Sequence, residues 1–367
     1  MNSAQSVLVG GMKPVAMIDW ITARIMLERP LPRHINGGEF VRIDELGNIE
    51  QASPRRKRVS GSHESSINIR AASVYEIEIT GNLVKFVQGH NLYGSSDPAA
   101  ILWAALTKIE AIDGALPCSL AQIGLTGPDS LLQRTFLSRM DCTVMLLARD
   151  LAEVREFLRS LRTNGRLRDR GQSGLPHAWE KGEGATFGGG PKRVARHRSM
   201  TFYSKGLDAI AHPLPDLMMA DDDVMEWVKS CLRCEVRLGS NYLRKRDLRL
   251  LANWSPDTAL AEWNEMMARI DMNASDEKPA ALDDLPAHLQ VAYSAWLGGA
   301  DLRSMFARRT YYRKRADILK ATGVDIAIPR SKEPTAQIVP IKRVIELRPA
   351  GRPSWADRID QALRQSA

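Results

Sequence analysis

Apolar and polar residues alternate along several segments of the chain between residues 15 and 239. The alternation is clearest in four segments, which are 75–80, 137–147, 196–205 and 231–239. Successive side chains of a β-strand point to opposite faces, so each segment predicts a strand with one apolar and one polar face. Sheets with one solvated face are normally antiparallel. Two further segments, 15–27 and 37–50, predict a first strand and a hairpin.

A helical period replaces this alternation in other parts of the chain. Pro98 lies in the first turn of a predicted helix that ends near Ile112, and Asp150 caps a second one that ends near Leu161. A third helix is predicted over 221–229. From about residue 255 helical patterns dominate, in 256–272, 285–297, 302–307, 309–322 and 355–364.

These patterns together predict an α+β fold. An antiparallel-sheet domain is predicted over 13–250, after a frayed N-terminus at 1–12. A mainly helical C-terminal domain follows over 255–367. Residues 163–195 are rich in Gly, Arg and Lys and poor in apolar residues, which predicts a mobile basic loop within the first domain.

The composition is that of a globular protein with a basic surface. Lysine and arginine outnumber aspartate and glutamate by 51 to 43, giving a net charge of +8. A basic excess favours polyanionic partners, most often nucleic acid. The four cysteines are few for 367 residues and lie in apolar contexts, which predicts reduced thiols in a cytoplasmic protein. No apolar run is long enough to predict a membrane-spanning helix, and no signal peptide is expected.

The polar faces of the predicted strands carry acids, arginines, a histidine and a tyrosine. They are Glu78, Arg139, Asp141, His197, Tyr203, Arg233, Glu235 and Arg237. Carboxylates gathered on one sheet repel each other unless a cation neutralises them. Carboxylate oxygens with one imidazole, here that of His90 in a Gly-His-Asn turn, are suitable ligands for Mg²⁺ or Mn²⁺. A salt bridge, a solvated strand position or a turn-stabilising hydrogen bond also explains such residues, so a structural role stays open for each.

Tyr203 is the candidate nucleophile for phosphodiester chemistry, although an isolated tyrosine in a strand is usually a packed core residue. Its phenol would attack the scissile phosphate to give a 5′-phosphotyrosine and a free 3′-OH, and the covalent intermediate would conserve bond energy for rejoining. A phenol has an unperturbed pKa of about 10 and needs help to lose its proton. Lys205 or the metal ion would lower this pKa, and His197 would accept the proton.

Clusters of basic residues predict contacts with DNA phosphates. The predicted contacts are Arg55, Arg56, Arg139, Arg198, Arg233, Arg237, Arg244, Lys245, Arg246 and Arg313. A solvated loop would also explain the cluster around Arg55. A non-catalytic DNA-binding protein, such as a repressor or a single-strand coat, would need these cations but neither Tyr203 nor the acids.

Six short motifs, in order along the chain, resemble the replication initiators of filamentous phages, the gene II protein family, and related phage and plasmid replication proteins. They are Met17-Ile18-Asp19, Val87-Gln88-Gly89-His90-Asn91, Ser138-Arg139-Met140-Asp141, Arg196-His197-Arg198 followed by Tyr203-x-Lys205, Arg233-x-Glu235-x-Arg237, and Tyr312-Arg313. Each motif alone is weak, and their common order over about 15–320 makes the resemblance specific.

The resemblance implies a rolling-circle initiator with an antiparallel-sheet endonuclease domain related to the HUH nucleases. Such an enzyme nicks one strand at the origin of the double-stranded replicative form, and later cuts and circularises the displaced strand. Tyr203 matches the family's tyrosine, Asp141 and Glu235 match its acids, and His90 matches its turn. The implied partners are origin DNA and the host helicase and polymerase in the bacterial cytoplasm. A conjugative-type relaxase is the alternative that acts in transfer rather than replication.

One departure from the HUH pattern concerns the metal site. The chain contains no His-hydrophobic-His pair, which supplies two metal ligands in standard HUH enzymes. The site for Mg²⁺ or Mn²⁺ is therefore expected to be dominated by carboxylates. Its predicted ligands are Asp141, Glu235, Glu78 and His90.

Overall fold

A computed structural model gives the structure of the chain. It describes residues 14–35, 37–61, 63, 65–169, 172–179, 184–188, 197–271, 285–322, 324–327 and 345–366. The predicted frayed N-terminus at 1–12 lies outside the described residues, as does part of the predicted loop at 163–195.

The strands confirm the segments predicted from alternation and add several short ones. They are β1 (Ala16–Met26), β2 (Glu39–Ile43), β3 (Ile49–Pro54), β4 (Lys57–Ser60), β5 (Ser66–Ser73), β6 (Glu76–Asn82), β7 (Thr135–Leu147), β8 (Arg166–Asp169), β9 (Gln172–Gly174), β10 (His177–Ala178), β11 (Gly184–Phe187), β12 (Arg198–Ser204), β13 (Cys231–Gly239), β14 (Ile270–Asp271) and β15 (Arg348–Pro349).

The helices likewise match most of the predicted ones to within a few residues. They are α1 (Leu83–Gln88), α2 (Pro98–Ala111), α3 (Asp129–Leu132), α4 (Leu151–Asn164), α5 (Lys205–Ala211), α6 (Asp216–Met219), α7 (Asp222–Ser230), α8 (Ser240–Lys245), α9 (Thr258–Met267), α10 (Ala287–Leu297), α11 (Leu302–Met305), α12 (Arg308–Thr322) and α13 (Ala356–Ser366), with 3₁₀ turns at Ala121–Ile123 and Leu251–Asn253. Among the described residues, no helix combines the length and the apolar character needed to cross a membrane.

One large antiparallel sheet organises the fold, as the alternation predicted. Its strand order is β10-β11-β12-β13-β7-β1-β6-β5-β4, and β15 pairs with the end of β7. Two small sheets, β14-β8-β9 and β2-β3, lie beside it. The chain crosses the sheet several times, so residues far apart in sequence meet on the central strands β12, β13, β7, β1 and β6.

The described part of 163–195 differs from the predicted loop, because it forms strands. β8 and β9 belong to a small sheet, and β10 and β11 extend the large one beyond β12. The register of β11 against β12 pairs Ala185 with Phe202, both of which are buried. The apolar stretches of these strands are short, and charged residues lie between them. The alternation of apolar and polar residues therefore does not reveal the strands.

The apolar face of the sheet carries the main hydrophobic core. Ile18 and Ile21 of β1, Val144 of β7 and Cys234 of β13 are fully buried in it. Helix α9 covers this face, and its fully buried Trp263 donates from Nε1 to the Cys234 carbonyl at 3.3 Å. The helix predicted to open the C-terminal domain therefore packs in the core of the sheet.

The helices beyond residue 285 divide between two smaller clusters. Helices α10, α11 and α12 form their own core, which includes Leu289, Leu302, Tyr311 and Ile318. Helix α13 joins a different cluster with α7 and the turn before α2, in which Trp355 is buried. Within the described part of the predicted C-terminal domain, only the helices of 285–327 thus form a core of their own.

The cysteines are free thiols, as predicted. Cys142, Cys231 and Cys234 are buried and Cys118 is half-buried. Burial raises the pKa of each buried thiol well above its usual value, which keeps it protonated.

Candidate functional site

A β-bulge in β1 gives the polar face of the sheet an acid that simple alternation would misplace. The register against β7 pairs Ile18 with Cys142 and then Trp20 with Asp141, so Asp19 is the extra residue. A bulge re-aims a side chain and is common near functional sites. Asp19 is 6% exposed and accepts a hydrogen bond from Asn82 Nδ2 at 2.6 Å.

The guanidinium of Arg233 lies at the centre of a buried charge network. Its Nη2 is 2.6 Å from Asp19 Oδ2, and its Nε donates to Glu235 Oε1 at 2.6 Å. Its Nη1 donates to the Asn91 carbonyl at 2.6 Å. Arg233 is fully buried, and its two acids neutralise it, so the pKa of the guanidinium rises despite the cost of burial. We call Asp19, Arg233, Glu235 and Tyr203 the charge network.

Tyr203 joins this network through Glu235. Strand β12 pairs Tyr203 with Arg233, and the phenol donates to Glu235 Oε1 at 2.7 Å. The ring of Trp179 stacks on the Tyr203 ring with centroids 5.4 Å apart, which leaves Tyr203 9% exposed. Burial raises the pKa of the Tyr203 phenol well above its usual value, although Arg233 opposes the shift. The phenol is therefore protonated in this state.

Glu235 is in the position of a proton acceptor for that phenol. Burial alone would raise the pKa of its carboxyl, but Arg233 and the hydrogen bonds from Arg233 and Tyr203 hold the pKa below its usual value. The ionised carboxylate is thus within a 2.7 Å hydrogen bond of the oxygen that must lose its proton. A general base has to be within hydrogen-bond reach of its proton, and Glu235 meets that geometric condition.

Lys205 lies next to the network but is paired with another acid. It begins α5, is 3% exposed, and its Nζ is 2.7 Å from Asp208 Oδ2. Burial lowers the pKa of Lys205, and Asp208 opposes the shift. Lys205 remains a candidate source of positive charge near Tyr203.

The sequence analysis placed His197 beside Tyr203, but the structure does not bring the two residues together. His197 lies six positions before Tyr203, and an extended strand rises about 3.3 Å per residue, so their Cα atoms are about 20 Å apart. The His197 ring instead meets the edge of Tyr242, with centroids 5.5 Å apart. Alternation grouped His197 with Tyr203, but His197 lies at the other end of the strand, just before β12 begins at Arg198.

Asp141, a predicted metal ligand, is held by arginines. Arg139 contacts both carboxylate oxygens, with Nε 2.8 Å from Oδ1, and Arg237 Nε lies 3.6 Å from the same atom. The Arg139 guanidinium also lies over the Trp20 ring at 4.3 Å. Burial raises the pKa of Asp141, and Arg139 opposes the shift.

Glu78, a second predicted ligand, accepts from three arginines, which lie on β1, on β5 and in the connection between β3 and β4. The donors are Arg56 Nε at 2.9 Å, Arg70 Nη2 at 3.0 Å and Arg24 Nε at 3.3 Å. Burial would raise the pKa of Glu78, but the hydrogen bonds and charges of Arg56 and Arg70 bring it below its usual value. The carboxylate is ionised and fully occupied by side-chain cations.

His90, the one histidine among the predicted ligands, is fully buried in the turn before α2. Its Nε2 is 3.7 Å from Asp360 Oδ1, which is longer than a hydrogen bond, and its Nδ1 is 3.4 Å from the amide of Leu92. Burial lowers the pKa of the His90 imidazole, so it is neutral at pH 7. Asp360, Lys205 and Arg352 are the charged groups that act on it most strongly.

The four predicted metal ligands therefore lie in four different surroundings. Among the residues that the structure describes, no group of three or more His, Cys, Asp and Glu side chains is placed to hold a metal ion. The two acids of the charge network, Asp19 and Glu235, already share Arg233, which lies where a bridging cation would be. The predicted carboxylates do not fit a single metal ion in this arrangement.

Several arginines predicted to contact DNA instead form hydrogen bonds or salt bridges with other residues of the protein. Arg198 lies on the core side of β12, is 7% exposed, and donates to Tyr242 and Glu265. Arg246 pairs with Glu262 and Glu265. The remaining paired residues, described above, are Arg56, Arg139, Arg233 and Arg237.

Four other predicted DNA contacts are exposed and have no ion-pair partner among the described residues. They are Arg55, Arg244, Lys245 and Arg313. The predicted triplet at 244–246 thus divides into two solvent-facing cations and one that is paired. Exposed, unpaired cations are the ones that can neutralise DNA phosphates without first breaking a salt bridge.

Sequence reasoning missed four residues around the site. They are Asp19, whose bulge leaves no local signal, Asn91, which contributes through its backbone carbonyl, Trp179, which stacks on Tyr203, and Asp360, which lies near the end of the chain. Only Asp19 and Asn91 belonged to noticed motifs, Met17-Ile18-Asp19 and Gly-His-Asn, which could have pointed to them.

Comparisons with known proteins identify relatives of the chain. Residues 17–257 match the N-terminal family model of the phage replication-associated gene II protein, and residues 284–358 match the corresponding C-terminal model. The replication-associated protein of this family from Enterobacteria phage I2-2 is 30% identical over 358 residues, covering 94% of this chain and 97% of the relative. A solved structure of a rolling circle replication initiator protein from Geobacillus stearothermophilus covers 77% of this chain and 95% of its own, at 10% identity and a TM-score of 0.31. At that TM-score the likeness does not establish a shared fold.

Removal of the Arg233 cation is expected to destabilise the fold, because it leaves buried Asp19 and half-buried Glu235 uncompensated. We expect Arg233→Met to lower the free energy of unfolding by about 3–5 kcal/mol, measured by urea denaturation. Adding Asp19→Asn and Glu235→Gln should recover part of this loss. The control is Arg42→Met, whose exposed pair with Glu50 is worth about 1 kcal/mol or less. Equal losses for the two arginines would contradict the central role of Arg233.

Proposed function

The chain belongs to the family of phage replication-associated gene II proteins, and from this premise we propose that it is a rolling-circle replication initiator with Tyr203 as nucleophile. It nicks one DNA strand at the origin, leaves a 3′-OH primer, and rejoins the displaced strand after synthesis. The observation that carries the proposal is the 2.7 Å hydrogen bond from the Tyr203 phenol to the ionised carboxylate of Glu235.

In the nicking step, a phosphodiester bond within the DNA is exchanged for one between the DNA and Tyr203. The Tyr203 oxygen attacks the scissile phosphorus, the phenol proton passes to Glu235, and the bond from phosphorus to O3′ breaks. The O3′ takes up a proton and leaves as a free 3′-OH, while the 5′-phosphate remains on Tyr203. Rejoining reverses these steps, because a 3′-OH attacks the phosphotyrosine and returns the phenol. No external energy source is needed.

Positive charge near Tyr203 stabilises the pentavalent phosphate of the transition state. Asp19 and the Asn91 carbonyl hold Arg233 beside Tyr203, and its remaining contact, from Nε to Glu235, is the one that a phosphate can replace. An incoming phosphate competes with Glu235 for this guanidinium. As the phosphate replaces Glu235 at Arg233 Nε, Glu235 loses the contact that lowers its pKa and becomes a stronger base for the Tyr203 proton.

The α10–α12 region supplies a second, more exposed set of cations. On α12, Arg308, Arg309, Arg313 and Lys320 are exposed, and none has an ion-pair partner among the described residues. Positions spaced four and seven apart share one face of a helix, so 309, 313 and 320 lie on the same side of α12. We assign this face to the DNA phosphates that flank the nicking site. The host helicase and polymerase, and a cytoplasmic location, remain predictions.

The first experiment tests the nucleophile. A supercoiled plasmid with the cognate origin is incubated with wild type and with Tyr203→Phe, and open circles and DNA-linked protein are measured on gels. We expect nicking and covalent linkage from wild type only, since the phenylalanine lacks the attacking oxygen. Nicking by both proteins would move the nucleophile elsewhere. Tight binding by both without nicking would favour the non-catalytic DNA-binding alternative.

A second experiment tests the divalent ion. We expect nicking to require Mg²⁺ or Mn²⁺ and to stop reversibly with EDTA, while DNA-free protein retains no stoichiometric Mn²⁺ in equilibrium dialysis. The reason is that the predicted ligands Glu78, Asp141 and Glu235 are each paired with arginines, so we expect the ion to arrive with the DNA phosphates. Nicking that persists in EDTA would remove the ion requirement, and tight Mn²⁺ binding without DNA would reveal a preformed site.

A third experiment tests the α12 cations. Replacing Arg308, Arg309, Arg313 and Lys320 together by glutamine should flatten the log–log salt dependence of duplex binding by up to about 3–4 units, since each lost phosphate contact removes about 0.9. The matched control replaces four exposed cations elsewhere: Arg29, Arg33, Arg155 and Arg364. An equal change in slope for both variants would show that only net charge matters.

A further inference from the structure

The last described residues of the chain return to the catalytic sheet. We call residues 345–366 the C-terminal strap. Its β15 continues the large sheet, pairing Arg348 with Leu147 at the end of β7, and the amide of Ala350 donates to the Met145 carbonyl at 2.9 Å. The strap then enters α13, which packs beside the turn that contains His90.

Several contacts independent of one another anchor α13. The buried Trp355 ring lies 5.6 Å from the Trp227 ring and 5.8 Å from the Tyr93 ring. Arg358 forms a salt bridge with Asp221 at the N-terminus of α7. Loss of any one side chain of the strap therefore leaves the other anchors in place.

Asp360 of α13 is the acid that contacts the turn at 90–93. Its Oδ1 accepts from the Tyr93 hydroxyl at 2.6 Å and lies 3.7 Å from His90 Nε2. Its Oδ2 accepts from Arg352 at 2.7 Å, and the Arg352 guanidinium lies over the Tyr93 ring at 4.8 Å. Burial would raise the pKa of Asp360, but these hydrogen bonds hold it well below the usual value, so the carboxylate is ionised.

The other side of the same turn contacts the charge network. The Asn91 carbonyl accepts from Arg233 Nη1 at 2.6 Å, and its side-chain amide is 3.3 Å from Asp19 Oδ1. Gln88 braces the turn from within by donating to the Tyr93 carbonyl at 2.6 Å. Asp360 and Arg233 thus hold opposite sides of one short turn, and the turn connects the end of the chain to the nucleophile through Arg233 and Glu235.

From this geometry we infer that Asp360 is a positioning residue for the nicking reaction. It holds Tyr93 and the His90 turn so that the Asn91 carbonyl fixes Arg233, and Arg233 in turn orients Glu235 against Tyr203. This inference rests on the proposed function. It also means that the nicking site is incomplete without the strap, although Asp19, Tyr203 and Glu235 all precede residue 240.

A purely stabilising role for Asp360 makes a different prediction. An acid that only stabilised the strap would lower the melting temperature without altering the rate of a folded enzyme. A positioning residue changes the rate of the chemical step, because a displacement of about 1 Å in a catalytic group costs up to about a hundredfold in rate. The two roles separate when single-turnover nicking and DNA affinity are measured on the same variant.

The experiment compares Asp360→Ala with Asp357→Ala. Asp357 is on the same helix and also pairs with Arg352, at 2.8 Å, but its side chain is 93% exposed. We expect Asp360→Ala to lower the single-turnover nicking rate on an origin oligonucleotide about ten- to a hundredfold, with the dissociation constant changed less than about twofold. Asp357→Ala should nick at the wild-type rate. Equal rates for Asp360→Ala and wild type would overturn the inference.

Two further measurements make the result independent of global stability. Tyr93→Phe removes the hydroxyl that donates to Asp360, and the double variant should nick no more slowly than the slower single variant, because both changes break one link. Additive losses would overturn the inference. Hydrogen exchange should become faster at 90–93 in Asp360→Ala and stay unchanged in the strands. Unchanged exchange at the turn, or faster exchange throughout the sheet, would also overturn it. If wild type fails to nick, the proposed function fails, and exchange at the turn still decides whether Asp360 holds it.

Discussion

The buried guanidinium of Arg233 is the constraint on which the rest of the site depends. A cation with no solvent access is tolerated only when acids and carbonyls replace the water that it has lost. Here those partners come from three separate parts of the fold: the β1 bulge supplies Asp19, the turn before α2 supplies the Asn91 carbonyl, and β13 supplies Glu235. Each partner must be in place for the others to be satisfied, so the network fixes the relative positions of these elements.

The same network determines the state of the proposed nucleophile, Tyr203, before DNA arrives. Tyr203 is stacked beneath Trp179 and hydrogen-bonded to a carboxylate, and its buried phenol holds its proton firmly. Glu235 is a weak base as long as Arg233 lies beside it. A protonated and covered phenol does not react with a stray phosphodiester. In the proposed mechanism, activation therefore depends on the substrate, because a phosphate at the site replaces Glu235 at the Arg233 guanidinium.

Alternation along the chain predicted which residues share a face but not which of them meet. It placed Tyr203, Arg233 and Glu235 on one polar face, and the register of β12 and β13 confirms this. It also placed His197 on that face, but a period of two carries no information on distance along a strand. Arg198 lies an odd number of positions from Tyr203 and so on the opposite face of the strand. Alternation itself could therefore have shown that Arg198 faces the core. Other parts of the site depend on features that no local pattern records. The bulge at Asp19 shows only in the pairing of β1 with β7, and Asp360 lies 267 positions from Tyr93.

The change from alternating to helical patterns near residue 255 marks a change in secondary structure rather than the end of a folding unit. Helix α9 has the apolar stripe of any helix that packs on a core, and that stripe does not reveal which core it meets. Trp263 meets the apolar face of the sheet, and Trp355 packs on the turn beside its polar face. The helical segments on both sides of 285–327 therefore belong energetically to the sheet. A domain boundary has to be drawn from shared cores rather than from position along the chain, and by that criterion the proposed nicking site depends on both β1 and α13.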